Sequence, residues 1–162
     1  MNNTEFKQNE NELTVIRNFD ADLNLVWRAW TEAELLDQWW APAPWKSETS
    51  RMEFKVGGYR LYAMVGPEGE RHVGRTDYKA IDKPNSFGGE DAFCDADGNV
   101  NPALPVSKFV NRFEQKGSQT TVTVITVYDS VDLLQQVIDM GMKEGLSMAY
   151  DQLENVLVST KS

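Results

Sequence analysis

The spacing of apolar residues changes three times along the chain, between the alternation of a strand and the period of a helix. Residues 13–19 are rich in β-formers that alternate between two faces, which indicates a first strand. From residue 22 to residue 41 the apolar residues recur at helical spacing, and Pro42 ends that pattern. The alternating period then returns, so we predict further strands over residues 46–56, 59–65, 71–81, 106–114 and 120–128. Residues 86–87 and 91–94 are candidates for two more short strands.

Two capping patterns place two short helices after the first strand. Asp20 and Asp22 precede the first apolar residue of the helical run, and either is a favourable N-cap for a helix that begins near Asp22. Thr31 and Glu34 have the spacing of a capping box, so we predict that a second short helix begins at Thr31.

The runs 106–114 and 120–128 lie on either side of a short turn that contains Gly117. Two β-rich runs around a glycine turn are typical of a hairpin, and we predict that this hairpin forms the far edge of the sheet. Between residues 88 and 105, glycine, proline, aspartate and asparagine interrupt every period, which indicates a polar loop longer than an ordinary β-turn.

The last segment, residues 131–158, contains no proline and predicts one long amphipathic helix capped by Ser130 or Asp129. Gly141 and Gly145 interrupt it, which indicates a bend, the close approach of another backbone, or room left for something else. The residues that share its apolar face are Ile138, Met142, Gly145, Leu146, Ala149, Leu153, Val156 and Leu157.

A strand, two short helices, a long antiparallel meander and one long helix make an α+β arrangement. We predict a curved antiparallel sheet of six or seven strands that wraps around the C-terminal helix, with residues 12–159 forming a single domain. The polar residues 1–11 are expected to be a flexible lead-in. A sheet that faces one helix over such a length tends to leave space between them, so we expect a cavity there.

The charge balance narrows the range of partners. The formal net charge is −9 and the isoelectric point is near 4.6, so nucleic acids and anionic membranes are not expected to bind. A single cysteine excludes an intramolecular disulfide, and neither a signal peptide nor an apolar run of 18 residues occurs. We therefore expect a cytoplasmic protein.

Few residues are suited to catalysis or metal binding. His72 and Cys94 are the single imidazole and thiol, so a site with two histidines or four cysteines is excluded and we expect neither metal nor cofactor. His72 follows a Gly-Pro-Glu-Gly turn and is expected to be exposed, and Cys94 is expected to be an inert thiol. Asp91, Asp95 and Asp97 fall in the polar loop, where a solvated carboxylate is the ordinary state. An enzyme is therefore less expected than a binding protein.

Arg17, Arg60 and Arg112 lie within β-rich runs, where alternation could turn any of them inward. A buried arginine without a carboxylate partner is unfavourable. We expect all three side chains to point outward.

All five tryptophans lie between residues 27 and 45, and this segment is expected to form one wall of the interior because tryptophan buries so much area. Aromatic residues and methionines around an apolar cavity are the usual form of a small-molecule site, although each could equally be ordinary core. The candidate ligand contacts are Trp27, Trp39, Trp45, Phe54, Tyr62, Met64, Phe109, Phe113, Met142, Leu146 and Tyr150.

Three segments resemble the motifs of a known family. Residues 26–42, which read VWRAWTEAELLDQWWAP, resemble the tryptophan-rich signature of proteins similar to the C-terminal domain of Aha1, an activator of the Hsp90 ATPase. Residues 56–59 look like the family's glycine pair at the start of a strand, and residues 140–146 with Leu153 look like its motif in the terminal helix. The three segments occur in the family's order and extend along nearly the whole chain.

The resemblance implies the helix-grip fold of the START/Bet v 1-like superfamily, whose members commonly enclose an apolar cavity between the sheet and the long helix. The favoured hypothesis is a stand-alone domain that binds a small hydrophobic molecule without catalysis. The alternatives are a protein–protein module that acts on a chaperone such as Hsp90, with a role in the stress response, and a cyclase or hydrolase that uses the cavity. The protein is expected to be a monomer or a homodimer.

Overall fold

The computed structural model describes residues 4–104 and 106–161, which form one sheet and four helices. In chain order the elements are β1 Glu5–Asn9, β2 Glu12–Phe19, α1 Leu23–Thr31, α2 Ala33–Leu36, β3 Lys46–Met52, β4 Tyr59–Val65, β5 Arg71–Asp82, β6 Ser86–Phe93, β7 Ser107–Lys116, β8 Gln119–Tyr128, α3 Val131–Asp139 and α4 Met142–Lys161. The eight strands are ordered β1-β2-β8-β7-β6-β5-β4-β3, and all neighbours are antiparallel.

Two irregularities bend the sheet. The register shifts between Thr49 and Arg51 in β3 and between Tyr78 and Ala80 in β5. A bulge of this kind increases the local twist and bends its strand. The sheet therefore curves, and the predicted α+β architecture of a curved antiparallel sheet against a C-terminal helix is confirmed.

The N-terminal residues correct the expectation of a flexible lead-in. β1 pairs with β2 from Glu5 opposite Ile16 to Asn9 opposite Glu12, and Phe6 packs against the core. Four of the five β1 residues are exposed, as is common on an edge strand, so their polar composition hid the strand. This pairing raises the strand number to eight rather than six or seven. Residues 1–3 of the predicted lead-in lie outside the described residues.

The β7–β8 hairpin is present, but it lies inside the sheet and not at its edge. β7 pairs with β8 from Ser107 opposite Tyr128 to Lys116 opposite Gln119, and Gly117 has a φ of 63° in the turn. β8 also pairs with β2, and β7 also pairs with β6. The edge prediction is wrong because the first strands of the chain close onto the last one. The predicted polar loop is also shorter, since β6 occupies residues 86–93; Pro105, at its far end, lies outside the described residues.

Asp22 caps α1 as predicted, since its Oδ1 accepts a hydrogen bond of 2.8 Å from the backbone N–H of Leu25. The capping box at Thr31 is wrong. α1 continues to Thr31, whose hydroxyl donates to the carbonyl oxygen of Trp27 at 2.8 Å. α2 follows as a single turn, and its N-cap Glu32 makes no side-chain capping bond.

The predicted C-terminal helix is divided into two helices. Ser130 caps α3, accepting a hydrogen bond of 3.1 Å from the backbone N–H of Leu133. α3 ends at Asp139, and Gly141 has a φ of 94° before α4 begins at Met142. Side chains with a β-carbon rarely adopt such a backbone, so a glycine stands at the break. The bend that the two glycines indicated therefore occurs at the first of them.

The solid part of the core lies between one face of the sheet and α1. Trp27, 3% exposed, is at its centre, and its ring packs edge to face against Phe54, Phe87 and Phe113 at centroid distances of 5.8, 5.6 and 5.3 Å. Such pairs contribute about 0.5–1.5 kcal/mol each beyond their burial. Aromatic side chains thus fill the part of the interior between the sheet and α1.

Candidate functional site

A cavity of about 360 Å³ lies between the sheet and the first turns of α4. Its volume falls within the range of about 300–1,000 Å³ that is usual for small-molecule sites. Most of the wall is apolar, and the residues that α1, the segment after α2, and α4 contribute include Trp30, Leu36, Trp39, Trp40, Pro42, Met142, Leu146 and Ala149. The volume and the apolar lining make this cavity the candidate site.

Six of the eleven predicted ligand contacts line this cavity. Met142, Leu146 and Tyr150 recur at intervals of four residues along α4, so one face of the helix forms the roof of the cavity. Burial raises the pKa of the Tyr150 phenol, so it stays neutral at physiological pH. That these six residues contact a ligand stays a prediction. The six residues are Trp39, Met64, Phe109, Met142, Leu146 and Tyr150.

The remaining five lie elsewhere. Trp27, Phe54 and Phe113 belong to the solid core described above. Trp45 stacks on the ring of His72 with a centroid distance of 5.3 Å. The fifth residue, Tyr62, lies outside the cavity wall and against the guanidinium of Arg60. Apolar character and alternation are the same for core and cavity, so sequence pattern alone does not separate these groups.

A row of polar side chains crosses the sheet along the cavity wall, and sequence analysis did not find it. Arg60 on β4 pairs with Thr76 on β5, and Thr76 pairs in turn with Asp91 on β6. Asp91 pairs with Ser107 on β7, which pairs with Tyr128 on β8. Residues directly opposite each other in antiparallel strands point to the same face. All five line the cavity, so the strand register assembles a polar strip on an otherwise apolar wall.

Asp91 is the carboxylate of this polar row. Its Oδ1 accepts a hydrogen bond of 2.6 Å from the hydroxyl of Thr76. Burial raises the pKa of Asp91 to about 6, and the Thr76 hydrogen bond and the charge of Arg60 offset part of the rise. The expectation of a solvated loop carboxylate is wrong for Asp91, because the residue belongs to β6 and faces the interior.

Arg60 corrects the expectation of an outward side chain, since it is only 2% exposed. Its Nη2 lies 3.4 Å from Oδ1 of Asp37 and donates a hydrogen bond of 3.0 Å to the hydroxyl of Ser47, while Nε donates to the Thr49 hydroxyl at 3.1 Å. Its guanidinium lies 4.3 Å from the ring centre of Tyr62. Burial lowers the pKa of Arg60, and Asp37 acts in the opposite direction. A carboxylate, two hydroxyls and an aromatic ring thus hold this buried cation.

Arg17 is also buried, with 1% exposure, whereas Arg112 is exposed as expected. Nη2 of Arg17 lies 2.7 Å from Oδ1 of Asp151 and 3.3 Å from Oε1 of Glu154. These two carboxylates belong to α4, and Arg17 belongs to β2. The ion pairs fasten the terminal helix to the sheet beside the cavity.

The other candidates for chemistry lie outside the cavity wall. His72 is exposed and packs on Trp45. Cys94 is half-buried, and burial raises the pKa of its thiol, which lowers the thiolate fraction at neutral pH. Asp95 lies in the loop as expected and accepts hydrogen bonds from the backbone N–H groups of Asp97 and Asn99.

Replacing Asp91 by asparagine is expected to stabilise the protein at pH 8 and to change its stability little at pH 4. A carboxyl group with a folded pKa of about 6 and an unfolded pKa of about 4 binds more protons in the folded state between these values. Stability therefore falls as pH rises through this window, by about 3 kcal/mol in total for this group. Melting temperatures of both proteins from pH 4 to pH 8 measure the effect. If the difference in melting temperature between Asp91→Asn and the native protein were the same at every pH, Asp91 would be solvated.

Comparison with known proteins agrees with this architecture. A model of the family described as "Activator of Hsp90 ATPase homolog 1-like protein" matches residues 20–158. No curated protein sequence matches the chain at a significant level. Among the helices of the described residues, none is both long enough and apolar enough to span a lipid bilayer.

Several solved structures are similar to the whole chain. A protein from Arthrobacter aurescens shares 29% identity and a TM-score of 0.89, with 96% of this chain and 91% of that chain covered. Protein Ms6760 from Mycobacterium smegmatis shares 34% identity and a TM-score of 0.86, with coverage of 95% and 96%. A protein from Staphylococcus epidermidis shares 27% identity and a TM-score of 0.86, with coverage of 96% and 94%.

Proposed function

Because the chain belongs to the family of proteins like activator of Hsp90 ATPase homolog 1, whose helix-grip architecture it shares, we propose that it binds a small, largely apolar molecule between the sheet and α4. The observation that carries the proposal is the cavity of about 360 Å³ with its aromatic and methionine lining. Protein interiors are otherwise close-packed, and unfilled apolar space destabilises them. A bound apolar molecule would remove that cost.

Gly145 supports the proposal because it leaves room in the cavity. It lies inside α4 and lines the cavity, and a β-carbon placed on it would meet Cγ of Pro42 at 3.8 Å, an ordinary contact. Alanine would favour the helix by about 1 kcal/mol and would fit without a clash. A glycine at this position thus keeps space open at the expense of helix stability.

Replacing Gly145 by leucine is expected to weaken binding of a neutral lipophilic probe, N-phenyl-1-naphthylamine, at least tenfold. The leucine side chain would occupy the volume that the probe needs, and the better helix former would keep the protein folded. Probe fluorescence gives the Kd, and circular dichroism checks the fold.

The matched control is Glu144→Leu, which adds the same side chain at the neighbouring exposed position of α4. It is expected to bind the probe as the native protein does. Equal probe affinity for the native protein and Gly145→Leu would contradict the proposal that the cavity is the binding site.

One observation favours the hypothesis of cyclase or hydrolase chemistry in the cavity. Thr76 and Asp91 form a hydrogen-bonded polar pair in its wall, and a carboxyl group with a pKa of about 6 suits general acid–base catalysis. Hydrolysis of a panel of aryl and alkyl esters tests it, with Asp91→Asn as the inactive comparison. Turnover that is absent, or unchanged in Asp91→Asn, would dismiss this function.

The chaperone partner stays a hypothesis that retention of Hsp90 in a pull-down would test.

A further inference from the structure

We propose that the cavity selects an apolar molecule that carries a protonated amine, and that the carboxylate of Asp91 binds the ammonium group. This inference rests on the proposed function, since it names the ligand class of the same cavity. It is carried by the arrangement of charge and hydrogen bonding along the polar row.

The charges in the cavity wall leave Asp91 without a counter-ion. Among the described residues that line the cavity, Arg60 and Asp91 carry charge. Arg60 already faces the carboxylate of Asp37 at 3.4 Å, and these two charges offset each other. No described residue forms an ion pair with Asp91. The cavity therefore has a local excess of negative charge, which a cation would neutralise.

The hydrogen bonding of Asp91 is also incomplete. An ionised carboxylate offers about four acceptor sites on its two oxygens. Oδ1 accepts from the Thr76 hydroxyl, whereas no described residue donates a hydrogen bond to Oδ2. Asp91 is half-buried and lines the cavity, and a charged donor suits such an acceptor because charge-assisted hydrogen bonds are about twice as strong as neutral ones. An ammonium group supplies both the missing donor and the missing charge.

The ionisable groups that act electrostatically on Asp91 from other strands favour a cation over an anion. On β4 these are Arg60, which is already paired, and Tyr62; on β8 it is Tyr128; on β5 they are Tyr78 and Asp77, and Asp77 points to the opposite face of the sheet because it follows Thr76. Asp77 adds negative charge, although Arg75 pairs with it at 2.7 Å. Burial raises the pKa of Tyr62 to about 12 and also raises the pKa of the other two phenols, so all three are neutral at pH 7.

Aromatic side chains share the cavity wall with Asp91. Tyr78 and Tyr128 both line the cavity, and Trp40 lies at the end that is near Arg60. The faces of aromatic rings attract cations, and the attraction grows when water is excluded. The apolar roof of α4 would cover the hydrocarbon part of such a ligand.

A pair of probes of similar shape tests the inference by isothermal titration calorimetry. 2-(1-Naphthyl)ethylamine is protonated at pH 7.5, and 2-(1-naphthyl)ethanol is neutral. We expect the amine to bind at least tenfold more tightly than the alcohol at pH 7.5. The preference should fall as pH decreases from 7.5 to 5, because Asp91 gains a proton while the alcohol is unaffected.

Three variants make the test specific. Asp91→Asn is expected to bring the affinity for the amine down to that for the alcohol. Asp77→Asn removes the same charge from a residue outside the cavity wall and is expected to retain the preference. Thr76→Val, which keeps the carboxylate, is also expected to retain it.

The outcomes separate this inference from the proposed function. Equal affinities of the native protein for both probes would overturn the amine preference and leave cavity binding in place. A preference that survives in Asp91→Asn would overturn the role of that residue. Failure of both naphthalene probes to bind would overturn the inference, and the Gly145→Leu comparison would then decide separately whether the cavity binds apolar molecules.

Discussion

Replacing Asp37 by alanine is expected to lower the free energy of unfolding by about 3–5 kcal/mol, because it leaves the buried Arg60 without its counter-ion. Asp37 also accepts hydrogen bonds from the Ser47 hydroxyl at 2.8 Å and from the backbone N–H and hydroxyl of Thr49 at 3.0 and 2.7 Å. All of these contacts join the end of α2 to β3 and β4. Urea denaturation followed by tryptophan fluorescence measures the loss.

Two further variants separate the charge from the hydrogen bonds. Asp37→Asn retains an oxygen acceptor without the charge, so its effect should be smaller than that of Asp37→Ala. In the double variant Asp37→Ala with Arg60→Met, no charge is left unpaired, and part of the stability should return. A loss below about 1 kcal/mol in Asp37→Ala would instead mean that water solvates Arg60.

Trp27→Ala is expected to lower the free energy of unfolding by about 3–5 kcal/mol, the usual effect of truncating a fully packed aromatic residue. The tryptophan is 3% exposed and touches Phe54, Phe87 and Phe113 on three sides. Its removal leaves a void that rigid aromatic neighbours fill poorly. Equilibrium denaturation in urea gives the change.

The matched control is Trp45→Ala, which removes the same side chain from a half-buried position against the exposed His72. Its effect should stay below about 1.5 kcal/mol, as less area returns to water. If the two variants lost equal stability, Trp27 would not be the centre of the core.

Local signals predicted the elements well. The cap at Asp22, the hairpin turn at Gly117 and the cap at Ser130 depend on residues within a few positions of each other, and the structure has all three. The edge strand β1 and the central place of the hairpin depend on pairings between distant segments. Hydrophobic periodicity contains no information on which distant strands pair.

The two buried arginines were mispredicted for the same reason, because their partners are distant in sequence. Arg17 pairs with Asp151, 134 residues away, and Arg60 pairs with Asp37 on a different element. An outward orientation was the reasonable expectation for each arginine taken alone, since burial without a partner is unfavourable. The partners become evident only once α4 and the end of α2 are placed against the sheet.

Sequence analysis predicted apolar residues of the candidate site but missed its polar row. The apolar face of α4 with Met142 and Leu146 followed from helical spacing, Tyr150 was named as a candidate contact, and all three residues line the cavity. The polar row was missed because its five members come from five strands and are brought together by register alone. A short strand through Asp91 was predicted, but the glycine, aspartate and asparagine around it indicated a polar loop, so we expected a solvated carboxylate there.

The polar row also bears on how readily the pocket can be redesigned. Each of its five positions sits on a separate strand, so a substitution there alters no connection between strands, although Thr76 and Asp91 share a hydrogen bond and Arg60 depends on Asp37. Exchanging Ser107 or Thr76 for residues of other polarity would give variants that share one fold and differ in the polar groups that line the cavity. A combinatorial library over these sites would sample many recognition patterns without remodelling the backbone.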